Sequence, residues 1–180
     1  SGLPKQGKSQ IACNLAAIAS KGGILPDGST SPKCEILYCS AEDNSEEVLT
    51  PRFMANQADL NAIHFPQGVT TLKNRDEGET QLNEADLNAT EQEYWNLLNI
   101  PALEDCLNQN PNIRIVVIDP IGSFIGGDTN TYRDNEVRAV LEPLKKLAQE
   151  KQLAVLLICH IGKSRHPNAD QNILGSTAFH

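Results

Sequence analysis

Eight consecutive residues limit the folds open to this chain more than anything else in it. Gly2-Leu3-Pro4-Lys5-Gln6-Gly7-Lys8-Ser9 satisfies G-x-x-x-x-G-K-[ST] at every fixed position. It runs directly into residues 8–20, where Ile11, Leu15, Ile18 and several alanines recur at helical spacing. Such a loop joins a strand to a helix. Its glycines let the backbone wrap closely, so that N–H groups and the positive end of the helix dipole converge on phosphate oxygens. Lys8 is placed to bridge the β- and γ-phosphates of a nucleotide and Ser9 to offer its hydroxyl to Mg²⁺. Gly2, Pro4, Lys5, Gln6, Gly7, Lys8, Ser9 and Gln10 are thus the candidate nucleotide contacts, with ATP and Mg²⁺ as the expected cofactors. The competing reading is a glycine-rich turn capping an ordinary helix.

Further along, residues 34–40 (CEILYCS) read as a short buried strand, 45–58 as a second helix with Val48, Leu49, Phe53 and Met54 on one side, and 62–66 as a short strand. Residues 101–108 resume a helical pattern. Residues 113–119 (IRIVVID) form a β-branched run typical of a strand buried on both faces. Val137, Leu141, Leu144 and Ala148 space a helix over 134–151, with Glu142 and Lys146 paired at i, i+4, and with Pro143 either kinking it or lying near its first turns. Leu153 to His160 is another continuous apolar strand. Strands separated by helical segments make an α/β fold with a parallel sheet and right-handed crossovers. Residues 67–99, rich in acids and amides, read as an acidic surface insertion on a single domain spanning 1–180.

A phosphate loop requires an acid at the end of a neighbouring strand to hold magnesium through its water shell, and Asp119 ends IRIVVID. The alternative for Asp119 is a turn cap before Pro120. Ser40-Ala41-Glu42-Asp43 follows the strand after the first helix, at the sheet edge where open α/β folds bind ligands. There Glu42 either orients the attacking water or is a solvated carboxylate or helix cap, and Asp43 reads as an N-terminal helix residue. His160 ends the last apolar strand at the same edge, either sensing the γ-phosphate or closing a strand. Lys8, Glu42 and His160 are the candidate catalytic residues; Ser9 and Asp119 are the candidate metal contacts.

The chain has 180 residues, 15 basic and 23 acidic, a formal charge of −8, of which residues 66–112 contribute −7. A uniformly basic nucleic-acid coat is excluded, while short basic loops on a near-neutral body are not. The longest strongly apolar run, Leu153 to Cys159, falls far short of the roughly 20 residues that cross a bilayer. Five cysteines without a C-x-x-C pair suit neither a disulfide framework nor a zinc site, and point to buried thiols in a reducing cytoplasm. The four histidines show no H-x-x-x-H pairing, which removes a metal hydrolase, and the absence of G-x-G-x-x-G after a strand removes a dinucleotide-dependent oxidoreductase. The start at Ser1-Gly2, with Met54 the sole methionine, and the stop at His180 read as a fragment lacking the strand before the phosphate loop and the C-terminal strands.

With GLPKQGKSQIACNLA, YCSAED, VVIDPIGSFIGG, EVRAVLEPLKKLA and LLICHIGKS in place, the chain resembles the RecA-like P-loop ATPase domains of the AAA type. Within them it is similar to the RepA-like hexameric replicative helicases of plasmids and phages. The resemblance implies a three-layer fold, a mostly parallel sheet with helices on both faces. It implies nucleotide binding by Gly7, Lys8 and Ser9, a catalytic Glu42, magnesium contact by Asp119 and a sensor role for His160. It also implies a homo-oligomeric, hexameric ring, single-stranded DNA as partner, and an associated primase or replication-initiation protein. The channel loops would be 121–133 and 161–172, where Lys163 and Arg165, with His166, suit strand phosphates or form an ordinary solvated loop. Arg52 and Lys163 are candidates for contact with a neighbouring subunit's nucleotide. A DNA recombinase or repair ATPase, and a regulatory or loading module with little turnover, are the competing functions.

Overall fold

The β-branched run at 113–119 becomes an inner strand of a four-stranded parallel sheet, as its lack of polar alternation requires. A computed structural model describes residues 6–66, 69–71, 91–93, 97–125 and 134–159. Helix α1 (Lys8–Lys21) leads through a small hairpin, β1 (Gly23–Ile24) and β2 (Thr30–Ser31), into β3 (Glu35–Ser40). A π-helical turn, Ser45–Leu49, opens into α2 (Thr50–Ala55), and a 3-10 turn at Leu60–Ala62 precedes β4 (Ile63–His64). Then come β5 (Val69–Thr71), β6 (Glu91–Glu93), α3 (Ile100–Gln109), β7 (Ile113–Asp119), a 3-10 turn at Ile121–Ser123, α4 (Asp134–Lys151) and β8 (Ala154–Leu157).

The main sheet runs β4-β3-β7-β8, every pair parallel, in register so that Ser40 lies opposite Asp119 and Ile118 opposite Leu157. Apolar clusters cover both faces. On one, α3 and α4 bring Leu103, Leu107, Val140, Leu144 and Leu147 onto Leu37, Cys39, Val116 and Ile118. On the other, α1 and the Leu49–Phe53 segment cover Ile36, Tyr38 and Val117. This is the three-layer α/β sandwich expected from strands alternating with helices. Among the described residues no helix is long and apolar enough to cross a membrane.

Several local expectations are corrected. The helical spacing of Ile11, Leu15 and Ile18 does not mark the buried face of α1: Ile11 is 61% exposed, while Ala12, Cys13, Ala16, Ala17 and Ala19 face inward. Small side chains let the helix approach the sheet closely. Replacing Ala16 by Leu therefore overpacks that interface and is expected to cost about 1–3 kcal/mol. Ile11→Ser should stay within about 0.5 kcal/mol of the parent in the same chemical-denaturation experiment.

The helix expected over 45–58 is a π-helical turn followed by one that ends at Ala55. Pro51, at the start of α2, has no N–H for an α-helical bond, and the wide turn before it accommodates that loss, with Thr50 Oγ1 donating to the Ser45 carbonyl at 2.7 Å. The changed phase leaves Met54 61% exposed instead of buried beside Phe53. Pro143 lies in mid-helix, where both it and Ala139, four residues earlier, are exposed, so the carbonyl it leaves unbonded can be hydrated. On the surface of α4, Lys146 pairs with Glu150, at 3.9 Å, and Glu142 with Lys145, at 3.5 Å. Within 67–99, β5 and β6 pair antiparallel, and Leu97 is buried, donating its N–H to the Phe124 carbonyl at 2.7 Å. Phe124 itself is core, and the strand expected over 153–160 spans only Ala154–Leu157. All five cysteines are free; Cys13 and Cys39 are buried, and burial pushes both thiols up from their ordinary values.

Candidate nucleotide-binding site

The site is assembled from chain ends at one edge of the sheet. Cys34 donates its N–H to the Ala19 carbonyl at 3.1 Å, which fixes the C-terminal part of α1 at the start of β3. Cys13 lies further up that strand, against Tyr38. Helix α1 therefore runs antiparallel to the strands. Five residues back from Cys13, about 7.5 Å at about 1.5 Å per residue, the Lys8 end emerges at the carboxyl edge where Ser40 and Asp119 terminate β3 and β7. Gly7 starts the helix in the left-handed region, φ 79°, and its carbonyl accepts from the Ile11 N–H at 2.9 Å. A Cβ there would meet nothing within 4 Å, so the demand for glycine is conformational. Among the described residues no side chain caps this N-terminus, and its first turn carries no acid, the arrangement suited to an anion at the positive end of a helix dipole.

Asp119 is 5% exposed. Tyr38, two residues before Ser40 and thus on the Asp119 face of the sheet, donates its hydroxyl to Asp119 Oδ2 at 3.0 Å. Cys13 Sγ donates in turn to the Tyr38 hydroxyl at 3.7 Å. Burial, with the adjoining Cys13 and Asp119, pushes the Tyr38 hydroxyl far above its ordinary value, so it remains a protonated donor. The Ala41 N–H donates to the Asp119 carbonyl at 3.1 Å, tying the turn after β3 to the end of β7.

Glu42 occupies that turn and is exposed. Asp43 donates its N–H to Ser40 Oγ at 3.1 Å, and Asn44, not Asp43, caps the following helical turn by accepting from Glu46 and Glu47. Arg52 Nη1 reaches back from α2 to Asp43 Oδ2 at 2.7 Å, with the two side chains only 24% and 30% exposed. Arg52 is thus engaged within its own chain. Sequence reasoning overlooked the Tyr38 contact and the Asp43–Arg52 pair. The alternation of β3 was sufficient to place Tyr38 on the Asp119 face, but only once the strand ends were aligned.

Of the expected contacts, Gln6, Gly7, Lys8, Ser9 and Gln10 gather at the start of α1, Glu42 and Asp119 lie at the same sheet edge, and Gly2, Pro4, Lys5, His160, Lys163 and Arg165 lie outside the described residues. Of the two loops expected to face a channel, residues 121–125 form a turn and core, and residues 126–133 and 161–172 lie outside them too. Magnesium takes oxygen ligands and is held by one or two carboxylates together with substrate phosphates. Among the described residues no three His, Cys, Asp or Glu form a metal cage. The Asp119 carboxylate and the Ser9 hydroxyl are a sparse, all-oxygen donor set of the kind that suits this ion.

Comparison with known proteins adds to the geometry. The chain is 25% identical, over 173 residues, to the replicative DNA helicase DnaB of Leifsonia xyli subsp. xyli (strain CTCB07). That similarity covers 93% of this chain but only 35% of the relative, so the chain spans about a third of the length of the protein it matches. A family model described as an AAA domain matches residues 1–166, from the phosphate loop past both acid-bearing strand ends. The chain belongs to the AAA domain family.

Proposed function

We propose that this chain is a magnesium-dependent ATPase domain of a replicative-type DNA helicase, in which hydrolysis drives movement along single-stranded DNA. The observation that carries the reading is the meeting, at one sheet edge, of an acid-free helix N-terminus behind a phosphate loop, the Glu42 turn and the buried Asp119. Similarity to a replicative DNA helicase supports the choice of DNA. In this mechanism the α1 N-terminus and Lys8 hold the β- and γ-phosphates, and Glu42 orients water for in-line attack on the γ-phosphorus. Magnesium, when bound, neutralises charge on the phosphate oxygens. Ser9 and Asp119 are the residues that would hold it.

The proposal extends to a homo-oligomeric, hexameric ring of a mobile replication element working in the cytoplasm beside a primase or initiation protein. Single domain organisation over 1–180, with 67–99 as an acidic insertion, belongs to the same reading. His160 is assigned to γ-phosphate sensing, and Lys163 and Arg165 to DNA phosphates. The Asp43–Arg52 pair favours a positioning role for Arg52, which leaves Lys163 as the candidate for contact across a subunit interface.

ATP turnover by the full-length protein, with and without single-stranded DNA, tests the reading. DNA is expected to stimulate turnover several-fold, and the stimulation to fall steeply with added salt as phosphate contacts are screened. Tight ATP binding with no stimulation would transfer the assignment to a loading or regulatory module. Filament formation without strand separation would transfer it to a recombinase.

A further inference from the structure

We propose that Tyr38 is a positioning residue for the metal-binding carboxylate, an inference that rests on the ATPase reading above. Asp119 ends a strand, and a carboxylate there is free to rotate unless something holds it. The Tyr38 hydroxyl takes Oδ2 at 3.0 Å and leaves Oδ1 as the acceptor for a water of the metal shell. The Tyr38 proton is committed to that bond, because the hydroxyl oxygen is itself approached by the Cys13 thiol at 3.7 Å. The ring cannot swing away. It is fully buried, and Phe53 of α2 meets it edge-on, with centroids 5.4 Å apart and planes at 85°.

Two helices thereby converge on the group that orients Asp119. Helix α1, which begins at the phosphate loop, supplies Cys13. Helix α2, which follows the Glu42 turn, supplies Phe53. Loss of an outer partner of a direct metal ligand typically weakens metal binding about 10- to 100-fold, and Tyr38, which acts through a carboxylate that reaches the metal by way of a water, belongs at the lower end of that range.

Tyr38→Phe removes the hydroxyl and keeps the ring, so core filling alone predicts no metal effect. The experiment is a Mn²⁺ titration, by electron paramagnetic resonance, of the full-length protein saturated with ADP, alongside metal-free ADP binding and circular dichroism. In the variant, Mn²⁺ affinity is expected to fall about tenfold, with metal-free ADP affinity within about twofold of the parent. The Mg²⁺ concentration giving half-maximal turnover should rise by a similar factor while turnover at saturating Mg²⁺ largely recovers, a split that general destabilisation does not produce. In an Asp119→Asn background Tyr38→Phe should add nothing. Unchanged Mn²⁺ affinity in a folded variant overturns the assignment. So does a variant that fails to fold, since the hydroxyl would then be holding the structure as a whole. A parent protein that binds no ADP, or binds it equally well after Lys8→Ala, instead overturns the ATPase reading itself.

Discussion

Lys8→Ala is expected to lower ATP turnover by about a hundred- to a thousandfold, the scale on which removal of one preorganised charge-stabilising donor acts. Lys8 is the first residue of α1 and is half-buried beside Gly7, at the end of the helix that meets the carboxyl edge of the sheet. In the proposed mechanism its ammonium follows charge as it develops on the β–γ bridge. Alanine is the best helix former, and the buried anchors of α1, from Ala12 to Ser20, are untouched. The variant should therefore keep its helical content and denaturation midpoint while losing turnover. Phosphate release measured beside circular dichroism separates the two effects. Turnover equal to the parent's would remove the phosphate loop from the reaction.

The layers of the fold were legible because they rest on long, one-signed patterns. Apart from Arg114 and the terminal Asp119, IRIVVID is apolar and β-branched, and it forms a central strand with the bounds read from it; the α4 spacing likewise gives Asp134–Lys151. Asp119 and Ser40, read separately as ends of strands, lie opposite each other in register. Faces were harder. Ile11 and Met54 are apolar yet exposed, because periodicity marks which residues are apolar and not which side of a helix approaches the sheet. On α1 the alanines carry the contact, since small side chains allow closer packing than the isoleucines do. Partners were hardest. That Arg52 meets Asp43 follows from a π-helical turn that shifts α2 by a fraction of a turn, and that Tyr38 meets Asp119 follows from a cross-strand register. Both are tertiary facts with no local signature.

The same turn carries the second large effect. Glu42→Gln should lower turnover by about a hundred- to ten-thousandfold, the range associated with losing a general base, while ATP affinity stays within a few-fold of the parent. Glutamine matches glutamate in size and keeps an acceptor oxygen. Its neighbours are fixed independently: Ser40 Oγ holds the Asp43 N–H, Asn44 caps the next helical turn, and Arg52 grips the Asp43 carboxylate. What glutamine lacks is the charge that polarises a water and accepts its proton. Titration with a fluorescent ATP analogue, followed by single-turnover hydrolysis, reads binding and chemistry separately. A fall of less than threefold in the single-turnover rate would assign the water to a different acid. Asp43 is a poor substitute, because its carboxylate is already committed to Arg52 at 2.7 Å, and the buried Asp119 already has one oxygen committed to Tyr38. Among the described acids at this edge of the sheet, Glu42 is the one the proposed mechanism assigns to the water, and its loss should stop chemistry without stopping nucleotide binding.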